Sequence, residues 1–314
     1  MTTFVTGGTG KTGSRLAQLL HDNHHSVLVA SRSGSVPAPF KGVKFDWSDS
    51  STFENPFNVD PKIDKLYLIA PPIFDSLPVV KPFIDFAISK GVKRIVHGSS
   101  SAMDKGDIVD GKIHEYIVDC GVDYAIIRPT WFIGEQNLQL VREHLLILPD
   151  NFGTFYVSSI RDKDEIPTVA EDGRVAFVGV DDIARAAYEA LVADKCLDTE
   201  YYVVGPTLYS YDEVLYFLNS HTRMHCLPFG LLQVAILLSN LLGRKISHKR
   251  LSHKESQSFW ETFGLTQDYA AMLTAMEAKI AHGYEEDITK GEGVIVGRTN
   301  LHDYLTANEK LWKQ

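Results

Sequence analysis

Residues 2–20 constrain the chain most. A short apolar run ends in Phe4-Val5, Thr6-Gly7-Gly8-Thr9-Gly10-Lys11-Thr12-Gly13 follows, and Ser14–Leu20 then carries Leu16, Ala17, Leu19 and Leu20 along one side. Strand, glycine turn and helix in that order build a βα unit. The overlapping Gly8-x-Gly10-x-x-Gly13 has the spacing of a dinucleotide cradle. One glycine permits the tight turn, one lets the backbone approach a pyrophosphate, and one lets helix and strand pack closely. The N–H groups that open the helix face the pyrophosphate, and the helix dipole favours its charge.

The end of the second strand selects the nucleotide. Ser26–Ala30 is apolar without alternation, as expected for a parallel strand buried on both faces. It runs into Ser31-Arg32, and no carboxylate occurs from Asn23 to Phe45. An NAD site places an acid here for the ribose 2′-hydroxyl, whereas arginine suits a 2′-phosphate. Arg32 can pair that phosphate bidentately and stack on adenine, and Lys11 can add charge. The expected cofactor is NADPH, with NADH possible.

At 314 residues the chain suits one large α/β domain or a domain with an appendage. A net charge of −9 offers no basic surface for nucleic acid or anionic membrane. Cys120, Cys196 and Cys226 are widely spaced and read as reduced thiols, and no metal site is expected. No signal peptide is read ahead of the first strand, and a soluble, cytoplasmic protein is expected. Further strands are expected at Val43–Phe45, Leu66–Ala70, Arg94–His97, Tyr124–Arg128 and Tyr201–Val204, and helices at Pro82–Lys90, Lys112–Cys120 and within Val178–Leu191. This alternation predicts a doubly wound parallel sheet, the NAD(P)-binding Rossmann fold, from residues 1–130 and 176–206. A smaller, mostly helical substrate region is expected from 131–175 and 207–314. Ligands bind outside the carboxyl ends of such strands, which adds Ala70, Pro71 and Ser99 to the cofactor lining, and Trp131 and Phe132 to the substrate lining.

Gly7–Gly13, Arg128-Pro-Thr-Trp-Phe132, Val180-Asp-Asp-Ile-Ala-Arg185, Ser210-Tyr-Asp212 and Leu242-Gly-Arg-Lys-Ile-Ser-His248 together resemble the NmrA-like atypical short-chain dehydrogenases. Within that group they are similar to the fungal festuclavine/agroclavine dehydrogenases of ergot alkaloid biosynthesis. The resemblance implies NAD(P)H-dependent reduction of a small alkaloid iminium that closes the last clavine ring, coupled to an upstream aldehyde reductase. Two departures stand out. The relatives run Phe-Met-Glu-Asn where this chain has Phe132-Ile-Gly-Glu-Gln-Asn137, which displaces Glu135. Residues of about 219–238 form an insertion, read either as translated intron or as an extra helix beside the substrate region.

Carbonyl reduction on this fold needs a proton donor, usually Tyr with Lys four residues on. No tyrosine here has lysine at that position; Tyr116 is followed by Cys120 and Tyr124 by Arg128. Hydride delivered to C=N⁺ gives a neutral amine without a proton, so no catalytic side chain is obligatory. Ser100, Ser101, Tyr116 and His114 are the candidates, with His114 expected to face solvent. Trp131, Phe132 and Glu135 are the residue types that stabilise a bound cation. Two other functions suit the same residues: a non-catalytic NADP(H)-sensing regulator, and an NADPH-dependent quinone or enone reductase.

Overall fold

The computed structural model describes residues 1–134, 151–195, 197–212 and 232–313. They divide into two compact units: Met1–Pro129 with Val180–Val203, and the described parts of 130–179 and 204–314.

The first unit is built on parallel strands β1 (Thr2–Val5), β2 (Ser26–Ser31), β3 (Lys41–Lys44), β4 (Ile63–Leu68), β5 (Arg94–Gly98) and β6 (Asp123–Pro129), with the strand Thr199–Val204 beside β6. Their spatial order is β3-β2-β1-β4-β5-β6, each pair parallel. The order reverses between β1 and β4, where a doubly wound sheet opens its ligand crevice. Phe4 lies in register with Leu28 on one side and Leu66 on the other. Such strands are buried on both faces, which is why their sequences are continuously apolar. Helices α1 (Lys11–Asp22), α2 (Asn55–Val59), α3 (Leu77–Ser89) and α4 (Asp110–Asp119) and the helix Val180–Val192 belong to this unit.

Phe4, Phe45, Phe53 and Phe83 form one aromatic knot, with Phe45 and Phe83 centroids 4.7 Å apart at 64°. Each such pair adds about 0.5–1.5 kcal/mol beyond burial. Helix α3 begins at Leu77, five residues before the expected Pro82. Pro78 sits in its first turn, where the missing N–H costs nothing, and the helix carries Pro82 inside.

The second unit is mostly helical, as expected. Alongside helices such as Val157–Lys163, His253–Glu261 and Gln267–Ala281 it holds two small sheets. In one, Glu165–Thr168 pairs parallel with Ser247–Arg250. In the other, Tyr209–Ser210 lies between Arg174–Val175 and Leu232–Gln233. Most of the 219–238 insertion lies outside the described residues. Its end enters the helix Val234–Leu242, where Leu238 is fully buried and Ser239 Oγ accepts from Ile246 N at 2.7 Å. Leu238, the last residue of that segment, lies in the unit's core. Among the described residues no helix is long and apolar enough to cross a membrane.

Candidate cofactor site

Four glycines shape the loop after β1, for different reasons. Gly7 sits at φ +58°, which L side chains rarely adopt, and its carbonyl accepts from Gly10 N at 2.9 Å. The tight turn thus belongs to Gly7 rather than to Gly8. A Cβ on Gly8 would lie 2.4 Å from Val29 Cγ1, and one on Gly13 would lie 2.3 Å from Gly7 O. Both are glycine because the loop packs too closely for anything larger, against β2 at Gly8 and against the start of α1 at Gly13. Gly10 differs: a Cβ there would meet only Gly7 O, at 3.1 Å. It caps α1 in ordinary extended geometry with no side-chain cap. The first-turn N–H groups of α1 have no carbonyl of their own helix to reach. Free N–H groups at a helix start are donors of the kind that receive a phosphate.

Side chains brace this loop against β4. Thr6 is buried; its Oγ1 accepts from Ile69 N at 2.8 Å and lies 3.1 Å from Tyr67 O. Thr12 is buried and receives the Tyr67 hydroxyl at 3.3 Å. Burial pushes that phenol up to about 12, so it stays a neutral donor. Thr9, Gly10 and Lys11 are partly exposed, as are Ala70 and Pro71 just past β4.

Arg32 is exposed one residue past β2. Ser31, expected beside it in the cofactor lining, donates its hydroxyl to Ser35 O at 2.8 Å. Asp46, past β3, holds a carboxyl below its usual range chiefly through the Ser48 hydroxyl and N–H, with Arg32 and Lys44 adding positive field. Replacing Arg32 with Glu is expected to lower NADPH affinity by about ten- to a hundredfold while NADH affinity holds or rises, the scale of one charge-assisted hydrogen bond. Fluorescence titration with both cofactors measures it; equal affinities in the unmodified protein would remove the assignment.

The four catalytic candidates fall in different surroundings. Ser100 is partly exposed, and its Oγ accepts from Ala102 N at 3.3 Å. Ser101 is buried, its N–H donating to Pro129 O at 2.8 Å. Tyr116 lies on the surface shared by α3 and α4, donating to Asp85, with Lys81 Nζ 2.5 Å from its hydroxyl. Burial and Asp85 raise its pKa, the wrong direction for an acid. His114 corrects the expectation of a solvent-facing residue: it is 5% exposed, and its Nδ1 has no partner. Burial pushes it down to about 4 against the pull of Glu200, with His97, Arg128 and Lys105 adding to the depression. A neutral imidazole at ordinary pH is a poor proton donor.

Of the substrate candidates, Trp131 is 8% exposed and its carbonyl accepts from Val178 N at 3.0 Å. Phe132 bridges Val178 and is partly exposed. Both belong to the second unit; Glu135 lies outside the described residues. A side chain at Gly134 would overlap the Tyr304 ring, whose hydroxyl lies 2.2 Å from where its Cβ would be.

The most consequential residue missing from the sequence reading is Arg128. It is 2% exposed and gathers Ser100 O, Ser101 O, Asp104 and Glu200 around one guanidinium. A charged residue closing the apolar run Ala125-Ile-Ile127 was the available signal.

Residues 3–75 match the NAD dependent epimerase/dehydratase family. Agroclavine dehydrogenase of Claviceps fusiformis is 33% identical, covering 99% of both chains. The chain belongs to the agroclavine/festuclavine dehydrogenase family. Festuclavine dehydrogenase of Aspergillus fumigatus is 36% identical over 91% of this chain and 89% of its own. Among solved structures, an NADPH-dependent quinone oxidoreductase of Escherichia coli in complex with NADPH superposes with a TM-score of 0.69 at 18% identity, over 97% of this chain and 98% of its own. This family member is an NAD(P)H-dependent oxidoreductase with a Rossmann fold.

Proposed function

We propose that the chain is an NADPH-dependent reductase of a cyclic iminium, acting at the ring-closing step that yields a clavine such as festuclavine or agroclavine. The observation that carries this reading is made among the described residues: of the candidate acids, Tyr116 is tied to Asp85 with a raised pKa, and His114 is buried and neutral. The names of the full-length relatives supply the substrate class. When bound, the cofactor supplies hydride from its dihydronicotinamide. The chain's own residues bind and orient. The loop Gly7–Gly13 receives the pyrophosphate, Arg32 the 2′-phosphate, and the segments after β4 and β5 flank the reactive half. Phe132 and Trp131 are the aromatic residue types that stabilise a bound cation. A C=N⁺ carbon that accepts hydride leaves a neutral amine, so orientation and exclusion of water are what this site must provide.

Deuteride from labelled NADPH is expected only on the carbon next to the ring nitrogen, read by NMR of the product. Ser100→Ala, Ser101→Ala, Tyr116→Phe and His114→Ala should each cost clearly less than the roughly 10²–10⁴-fold of a lost general acid. A loss in that range from Tyr116→Phe alone would restore a carbonyl mechanism. Turnover of quinones or aldehydes but no iminium would reassign the substrate.

A further inference from the structure

We infer that Arg128 is the positioning residue for the nicotinamide half of the cofactor, fixing the segment Ser99–Asp104 as the wall of that half-site. This rests on the NAD(P)H reading above. In the order β3-β2-β1-β4-β5-β6, the adenosine half belongs to the β1–β3 side, where Arg32 stands, and the other half to the loops after β4 and β5. Arg128 ends β6, next to β5, and reaches over to the loop that leaves it. Its Nη2 donates to Ser101 O at 2.8 Å and to Asp104 Oδ1 at 2.6 Å, its Nε to Ser100 O at 3.3 Å, and its Nη1 to Glu200 at 2.7 Å. The guanidinium lies 4.5 Å from the Tyr202 ring centroid.

Two consecutive loop carbonyls therefore turn inward to one buried cation. Alternate N–H groups complete the attachment: Ser99 N donates to Ile127 O and Ser101 N to Pro129 O, both at 2.8 Å. Only a planar fork with five donors can take two carbonyls and two carboxylates at once, so lysine is no substitute. The loop so held carries the Ser99 Oγ, buried and without a partner in the protein. An orphaned buried hydroxyl in a loop this firmly anchored is a group awaiting a ligand's polar atom.

The test separates the halves of the cofactor in the full chain. Arg128→Lys is expected to weaken NADPH about ten- to a hundredfold and to dim the nicotinamide fluorescence enhancement, while adenosine 2′,5′-bisphosphate binds within twofold of the unmodified protein. Asp104→Asn, at a half-exposed loop position, should move NADPH the same way by about three- to tenfold, and it keeps the test open should Arg128→Lys fail to fold. Calorimetric titration with both ligands, alongside thermal melts, gives the readout. NADPH and the bisphosphate weakening together, or NADPH unchanged in folded Asp104→Asn, would overturn the inference. An unmodified protein that binds neither ligand would overturn the cofactor reading and take the inference with it.

Discussion

Gly10→Val should fold normally and bind neither NADPH nor NADH. Gly10 has φ −82° and ψ 179°, which valine adopts readily, and its new Cβ would press only on Gly7 O at 3.1 Å. The rest of the side chain would stand where the first-turn N–H groups of α1 open to a pyrophosphate. Two or more charge-assisted hydrogen bonds at about 1.5–3 kcal/mol each put the loss above roughly a hundredfold. Gly13→Val provides the contrast. Its Cβ would lie 2.3 Å from Gly7 O and 2.9 Å from Gly8 Cα, so it should damage the fold as well as binding. Circular dichroism and melting separate the two variants, and fluorescence titration reads the affinities. A folded Gly10→Val that still binds NADPH within tenfold would mean the pyrophosphate is held elsewhere.

What the sequence made legible was local. Gly7–Gly13, the apolar runs of β1, β2 and β4–β6, and the crossover helices are signalled within a dozen residues, because a parallel strand and a phosphate loop are each written in consecutive positions. Errors arose where distant residues decide. The side chain of His114 reads as an exposed helix position until the fold buries it within the field of Glu200 and Arg128. Arg128 reads as one letter of a motif until the fold brings Asp104 and Glu200, 24 and 72 residues away, to its two sides. The expected start of α3 at Pro82 falls five residues late, because Pro82 is tolerated inside that helix. His248 and Asp212, in separate motif segments, prove to be hydrogen-bonded at 2.9 Å, a pairing that neither segment announces alone.

The same distance effect hides a buried, pH-sensitive group in the second unit. Glu277, in the helix Gln267–Ala281, is 1% exposed; it accepts the Tyr156 hydroxyl at 3.0 Å and Val169 N at 3.2 Å, with Ser256 also at hand. Burial outweighs those hydrogen bonds and pushes its carboxyl up to about 7 from an ordinary 4.5. The unfolded chain therefore releases this proton from about pH 4.5 upward while the folded chain keeps it until about 7. Its stabilising contribution is complete below the lower value and is lost as pH rises through the upper one, a change of roughly 3 kcal/mol. Glu277→Gln removes the titration, so its melting temperature should gain on the unmodified protein between pH 5 and 8 and run parallel to it above. Glu277→Ala should lose about 3–5 kcal/mol at pH 6, because the Val169 N–H and the Tyr156 hydroxyl are left buried without their acceptor. Thermal melts of the three proteins across that range measure both effects. Parallel pH profiles for the unmodified and Gln proteins would show that Glu277 titrates in the folded state as it does in the unfolded one.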